Sequence, residues 1–249
     1  MKAVVQPLSA LPLVAPSPEG SVLAELGLMT RETLGDRVTA ELHNLLVSGR
    51  LAPGEKLSLR KVAEAVGVSM MPVREAVSRL AADGALEVLP GRAVRVPVLT
   101  LAQFRELTRI RLVVEGFAAE EAARCATPES VAAIGAHEAI FREAASAGVL
   151  DSGVAIAANR DFHFALYCAA GMPSLVEMIE RLWLKAGPIL NLDLRGEPRR
   201  IRGGSAVQAH ATMLEGVRNR NPQATGEALR YDITAAAKHI EETGRLRAD

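Results

Sequence analysis

Four polar side chains in the second half of the chain have the chemistry of a metal shell: Asn159, His163, His210 and Asp232. Asn159 and His163 stand four residues apart, so a helix places them on one face. His210 and Asp232 fall in the middle of two later, largely apolar helical stretches. Brought together in a bundle core, the four supply two imidazoles and two oxygens, a set suited to zinc, nickel or manganese. On spacing alone the plainer reading stands beside it, because a histidine on a helix also serves as an ordinary core or surface residue. A second set lies nearer the N-terminus, where Arg60, Arg74 and Arg92 surround Gly67, Ser69, Met70, Met71, Pro72 and Gly91. A guanidinium is a planar fork that suits a guanine edge or a phosphate; each arginine taken singly is equally a solvated surface residue.

Positioning those groups requires particular elements. Thr33 opens a run in which Leu34, Val38, Leu42, Leu45 and Leu46 recur at helical spacing, ending at Ser48-Gly49. Pro53-Gly54 marks a turn. Ser58 caps a short helix that runs through Val66 and stops at Gly67. Ser69 caps the next helix, with Pro72 in its first turn, where a missing N–H costs little. Val73, Ala76, Val77 and Leu80 form its apolar face, and Met70, Met71, Pro72 and Arg74 are expected on its exposed first turn. Residues 85–89 and 93–96 alternate apolar and polar around Pro90-Gly91-Arg92, which reads as a two-stranded hairpin with Gly91 and Arg92 at its tip. Three short helices and a hairpin are the layout of a winged helix-turn-helix.

After residue 98 the pattern is helical throughout. Helices are expected from Thr100 to about Cys125, from Thr127-Pro128 to near Gly148, and from about Asp151 to Ala170. A fourth opens at Pro173-Ser174 and runs to about Lys185, kinked or ended at Gly187-Pro188; a fifth spans about Arg199 to Arg218; a sixth runs from Asn221-Pro222 to about Thr243. The fold is therefore expected to be mainly α. Residues 31–97 form the winged helix-turn-helix, and 98–249 an all-α bundle of six to seven helices. Residues 1–30, broken by Pro7, Pro12, Pro16 and Pro18, are expected to be a flexible arm rather than a signal peptide.

Bulk composition restricts the function more than it names it. The formal net charge is zero, so any nucleic-acid surface must be local. No apolar run reaches the roughly 18 residues that a membrane span needs. Cys125 and Cys168 form no CxxC pair and are expected to be buried, reduced thiols in a cytoplasmic protein.

The strings Leu51-x-Pro53-Gly54-Glu55-x-Leu57, Val62-Ala63, Gly67-Val68-Ser69, Pro72-Val73-Arg74-Glu75-Ala76-Val77-x-Arg79-Leu80 and Asp83-Gly84 together resemble the DNA-binding domain of the GntR family. That resemblance implies a dimer on double-stranded operator DNA. By position it implies DNA contacts from Arg60, Ser69, Met71, Pro72, Arg74 and Gly91, with Met70 and Arg92 completing the facing set. Members usually carry arginine where this chain has Met70. An apolar side chain cannot make that hydrogen bond, so a shifted operator preference or weaker binding is expected.

Residues from about 100 to 243 resemble the FCD effector domain of one large GntR subgroup. The matching strings are Arg111-x-x-x-Glu115, Asn159-Arg160-Asp161-Phe162-His163-x-x-Leu166, Ala170-Gly171-x-Pro173-x-Leu175, His210-x-x-Met213-Leu214 and Leu229-Arg230-Tyr231-Asp232-Ile233. The resemblance implies a divalent metal held by one Asp or Asn and three His. Asn159, His163 and His210 match three of those positions, and the fourth, normally His, is Asp232. It also implies a small carboxylate effector. Arg111 matches the subgroup's effector arginine, with Arg109 and Arg202 as fallbacks; on spacing alone Arg111 equally forms an intrahelical pair with Glu115.

The expected function is thus a dimeric, ligand-controlled repressor sensing a small organic acid beside a divalent metal, zinc before nickel or manganese, with the Pro97 region as hinge. One alternative is an architectural DNA-binding dimer whose bundle only dimerises. Another is a metal-dependent hydrolase, which needs a general base near the metal. Asp161 and Glu177 are the available carboxylates, and Asp161 is two residues from both Asn159 and His163, off their shared face. The expectation is therefore of a protein that is not an enzyme.

Overall fold

A computed structural model describes residues 33–147, 152–196, 204–243 and 246–248. The expected N-terminal arm, Arg202 and the Arg92 side chain lie outside the described set. The first helix, α1 (Leu34–Val47), begins at a reciprocal cap: the Thr33 hydroxyl accepts from the Asp36 N–H and the Asp36 carboxylate accepts from the Thr33 N–H. Asp36 also receives Arg79, and the backbone bond from Thr33 together with Arg79 lowers its pKa to about 2. Val38, Leu42 and Leu46, one turn apart, bury the inner face of α1.

Strand β1 (Lys56–Leu57), α2 (Leu59–Val66), α3 (Met70–Ala82), β2 (Glu87–Val88) and β3 (Val94–Arg95) complete the first part of the fold. The sheet has three strands in the order β1-β3-β2, both pairings antiparallel. The expected hairpin is β2 and β3, and β1 is an addition to it. After the Pro53-Gly54 turn the chain runs back beside β3, with Gly54 N–H donating to Val96 O and Val96 N–H to Glu55 O. Two residues are too few to show alternation, which is why β1 left no signal in the sequence.

Six helices follow: α4 (Leu101–Cys125), α5 (Pro128–Ser146), α6 (Ser152–Cys168), α7 (Pro173–Gly196), α8 (Ser205–Arg218) and α9 (Pro222–Glu242). Thr100, Thr127 and Asn221 cap α4, α5 and α9 as their side chains suggest. Alanines 118, 119, 122 and 123 are fully buried on α4 and let its neighbours approach closely. Among the described residues no helix is long and apolar enough to cross a membrane.

Two expectations need correction here. First, α7 does not end at Gly187-Pro188 but continues to Gly196. A proline inside a helix loses one bond at a cost of about 3 kcal/mol, and burial of Ala186, Gly187, Pro188 and Ile189 offsets it. Second, both cysteines are free thiols and exposed rather than buried. Each is the last residue of its helix.

The core of α1 and α3 is continuous with that of α4, α6, α7, α8 and α9. At the seam, α7 meets α1 almost backbone to backbone. The Asn191 amide donates to Val47 O at 2.7 Å, filling one of the carbonyls that a helix end leaves open. A Cβ on Gly187 would lie 2.8 Å from Leu46 O, and one on Gly49, whose φ is +61°, only 2.1 Å from the Asn191 Cβ.

Candidate functional site

The first site is the turn between α2 and α3. Gly67 takes the left-handed conformation (φ 68°, ψ 34°) that swings the chain outward. Ser69 sits at the N-cap position with its side chain making no capping bond. Met71 is 71% exposed, and Ser69 and Arg74 are exposed beside it. The first turn of α3 holds no acidic side chain, so the positive end of the helix dipole faces outward uncompensated. Arg60 is exposed on α2 and only loosely paired with Glu64 at 3.7 Å, an interaction that water screens strongly. Gly91, at φ +80°, forms the tip between β2 and β3 with open space around it. Met70 departs from expectation. It is half-buried and packs on the core, because it is in phase with Val73 and Val77, three and seven residues on.

The second site is a buried polar centre to which all six later helices contribute a side chain. Glu115 of α4 is completely buried and accepts four bonds. Arg111 donates through Nε at 2.6 Å and Nη2 at 3.2 Å, the Tyr167 hydroxyl of α6 at 2.5 Å, and Trp183 Nε1 of α7 at 3.2 Å. The Arg111 guanidinium also lies over the Trp183 ring, 5.4 Å from its centroid. Burial works against the Arg111 charge, but the adjoining Glu115 carboxylate more than offsets it and holds the pKa above the ordinary value. Burial, and then the Glu115 charge, push the Tyr167 phenol well above its usual pKa, so it keeps its proton.

Next to this pair lie His163 of α6, His210 of α8 and Asp232 of α9, all buried, with one ligand atom of each within 4.8 Å of the others. His163 Nε2 is 3.4 Å from Asp232 Oδ2, and His163 Nδ1 is 3.2 Å from the Tyr167 oxygen. The His210 ring stacks on Phe162 at 4.1 Å and tilts against Phe141 at 4.4 Å, which fixes its plane. Three of the four expected ligands are therefore brought together. Asn159 lies one turn before His163 on α6, half-buried. Two nitrogens and a carboxylate within reach of one ion form a donor set that fits zinc and leaves a fourth coordination position unfilled by these three.

Arg111 takes the ion-pair geometry that its spacing allowed. Arg109, two residues earlier, lines instead an exposed groove of about 580 Å³ between α4 and α9, shared with Arg105, Lys238 and Glu241. Asp161 pairs with Arg160 at 2.6 Å. Glu115, Tyr167 and Trp183 were not read from the sequence as a site. Tyr167 four residues after His163 was the available signal. Replacing Arg111 by Met strands a buried carboxylate, so we expect a loss of about 3–5 kcal/mol of stability. Arg109→Ala, on the exposed side, should change it by less than about 0.5 kcal/mol. Urea unfolding of both variants checks this, and equal midpoints would contradict the assignment of Arg111 to the buried pair.

Residues 34–96 match the family described as bacterial regulatory proteins, gntR family, and residues 106–235 match the FCD domain. The HTH-type transcriptional regulator McbR of Escherichia coli (strain K12) is 36% identical over 165 residues, 66% of this chain and 74% of that protein. A probable D-xylose utilization operon transcriptional repressor of Paenarthrobacter nicotinovorans is 28% identical over 207 residues, 83% of this chain and 88% of that protein. The solved structure of E. coli McbR/YncC aligns with a TM-score of 0.79 at 29% identity, over 86% of this chain and 100% of that one. These relatives are regulators and not enzymes. With an outward helix tip beside a short sheet, and six helices gathered on a buried polar centre, the chain belongs to the GntR family of bacterial transcriptional regulators, in the group that carries an FCD domain.

Proposed function

We propose that this regulator is a homodimeric repressor that binds operator DNA through α3 and senses a small carboxylate beside a divalent metal in its helical part, working in the cytoplasm. The observation that carries the DNA-binding reading is the exposed first turn of α3, where Ser69, Met71 and Arg74 surround a positive helix end. In this reading residues 31–97 read DNA and 98–249 respond to the ligand. Arg74 takes a guanine or phosphate, Arg60 the backbone, and Gly91 with Arg92 a groove edge. Met70, turned toward the core, contributes less than the arginine usual there. A gel-shift titration on the promoter region beside the gene tests this. Arg74→Ala should weaken binding by about 1–3 kcal/mol, and a protein that shifts no DNA with or without organic acids would refute the reading.

Dimerisation is supported by Ile110, Val113 and Phe117, an exposed apolar stripe at i, i+3 and i+7 on α4. A paired molecule places two α3 helices in successive major grooves. Sedimentation should return twice the 26.4 kDa chain mass; a monomer at micromolar concentration would count against it.

Metal sensing rests on His163, His210 and Asp232, with Asn159 as a further oxygen. A bound divalent ion supplies Lewis-acid positions that a carboxylate can occupy. Because Arg111 is held by Glu115, an effector carboxylate reaching it must compete with that pair, whereas the metal position makes no such demand. The effector acts only by binding one arrangement of the two halves more tightly than the other. Residues 96–99, including Pro97, border a cleft of about 540 Å³ between the end of α3, α4 and α7, which leaves space for such a change. Stoichiometric zinc in protein dialysed against zinc, lost in His163→Ala, is the expected result by elemental analysis. An apoprotein that still melts higher with organic acids would keep the effector and remove the metal.

A further inference from the structure

The hydrogen bonds around Glu115 have a direction, and that direction reaches His163. A carboxylate gives no proton. Glu115 accepts from both nitrogens of the Arg111 fork and from Trp183 Nε1, and the Tyr167 hydroxyl therefore donates its single proton to Glu115 at 2.5 Å. The remaining contact of the phenol oxygen, 3.2 Å to His163 Nδ1, then has to run from an Nδ1–H into that oxygen. Neutral imidazole carries one N–H, so Nε2 presents a lone pair. It presents it to Asp232 Oδ2 at 3.4 Å, beside His210. His163 Nε2 and the Asp232 carboxylate are nitrogen and oxygen donors of the kind a divalent cation takes.

We propose that Tyr167, held by Glu115 and the Arg111 fork, is the positioning residue that fixes the tautomer of His163 and turns Nε2 toward Asp232 and His210, making the three-residue cluster a cation site. Metal-bound histidines commonly donate their other N–H to a carboxylate or carbonyl; here a phenol relays a carboxylate one step removed. The chain Arg111–Glu115–Tyr167–His163 joins two turns of α4 to two turns of α6, so the tautomer is set by packing and not by solvent. This inference rests on the metal reading above.

Tyr167→Phe keeps the ring and removes the relay. The probe is zinc, titrated into chelator-treated full-length protein in competition with a fluorescent chelator. Zinc affinity should fall about 10- to 100-fold, with both proteins showing one cooperative melting transition. The second readout is the long-range ¹H–¹⁵N spectrum of histidine-labelled, metal-free protein at about pH 8, above the ordinary histidine range. Wild-type His163 should report an Nδ1–H, and the variant should gain the Nε2–H form. Wild type that binds no zinc would overturn the metal reading and the inference with it. Wild type that binds zinc, with an unchanged affinity in Tyr167→Phe, would overturn the role of Tyr167 alone. An Nε2–H signal from wild-type His163 would do the same, whether or not the variant folds.

Discussion

The buried charge of Glu115 is the constraint around which the helical half is arranged. An ionised carboxylate withdrawn from water is tolerable only if the protein replaces the whole of its hydration. Glu115 collects its four donors from its own helix, from α6 and from α7. Each of those helices is thereby fixed in rotation as well as in position, because a donor that swings away leaves the charge exposed to an apolar wall. Hydrophobic contacts between alanines and leucines tolerate sliding; a four-bond carboxylate does not. The neighbouring histidines and Asp232 inherit this rigidity, and Phe141 and Phe162 add to it by holding the His210 ring between them.

The DNA-facing half solves its problem with less charge than its role suggests. The chain as a whole is neutral, so attraction to phosphate must come from placement. The α3 tip combines an uncompensated helix end with the exposed Arg74, while Arg79, further along the same helix, is held at the surface by Asp36 and Glu75. Arg79 thus braces α3 against α1 while Arg74 stays exposed.

Much of this was legible in the sequence because the signals were local. Thr33, Ser58, Thr100, Thr127 and Asn221 cap helices within three residues of themselves, and Gly67 ends one by its own backbone preference. What escaped was set at a distance. Strand β1 exists because β3 lies beside it. Pro188 stays helical because residues 186–189 are buried together. Met70 turns inward because it continues, one turn earlier, the apolar face of Val73 and Val77. In the polar centre, His163, His210 and Asp232 could be nominated by residue type. Glu115, by contrast, read only as an i+4 ion-pair partner, since nothing in a linear string says that Tyr167 and Trp183 end beside it.

The meeting of α7 and α1 has a mechanical meaning. Gly187 is set against the Leu46 carbonyl with no side chain of its own as padding, and one turn on the Asn191 amide clasps Val47. One turn before that contact, Trp183 is anchored on Glu115. A twist or slide of α7 at the tryptophan end therefore has no soft layer in which to dissipate before it reaches the helix that carries the DNA reader. The joint behaves like a keyed shaft, handing a turn of α7 on to α1.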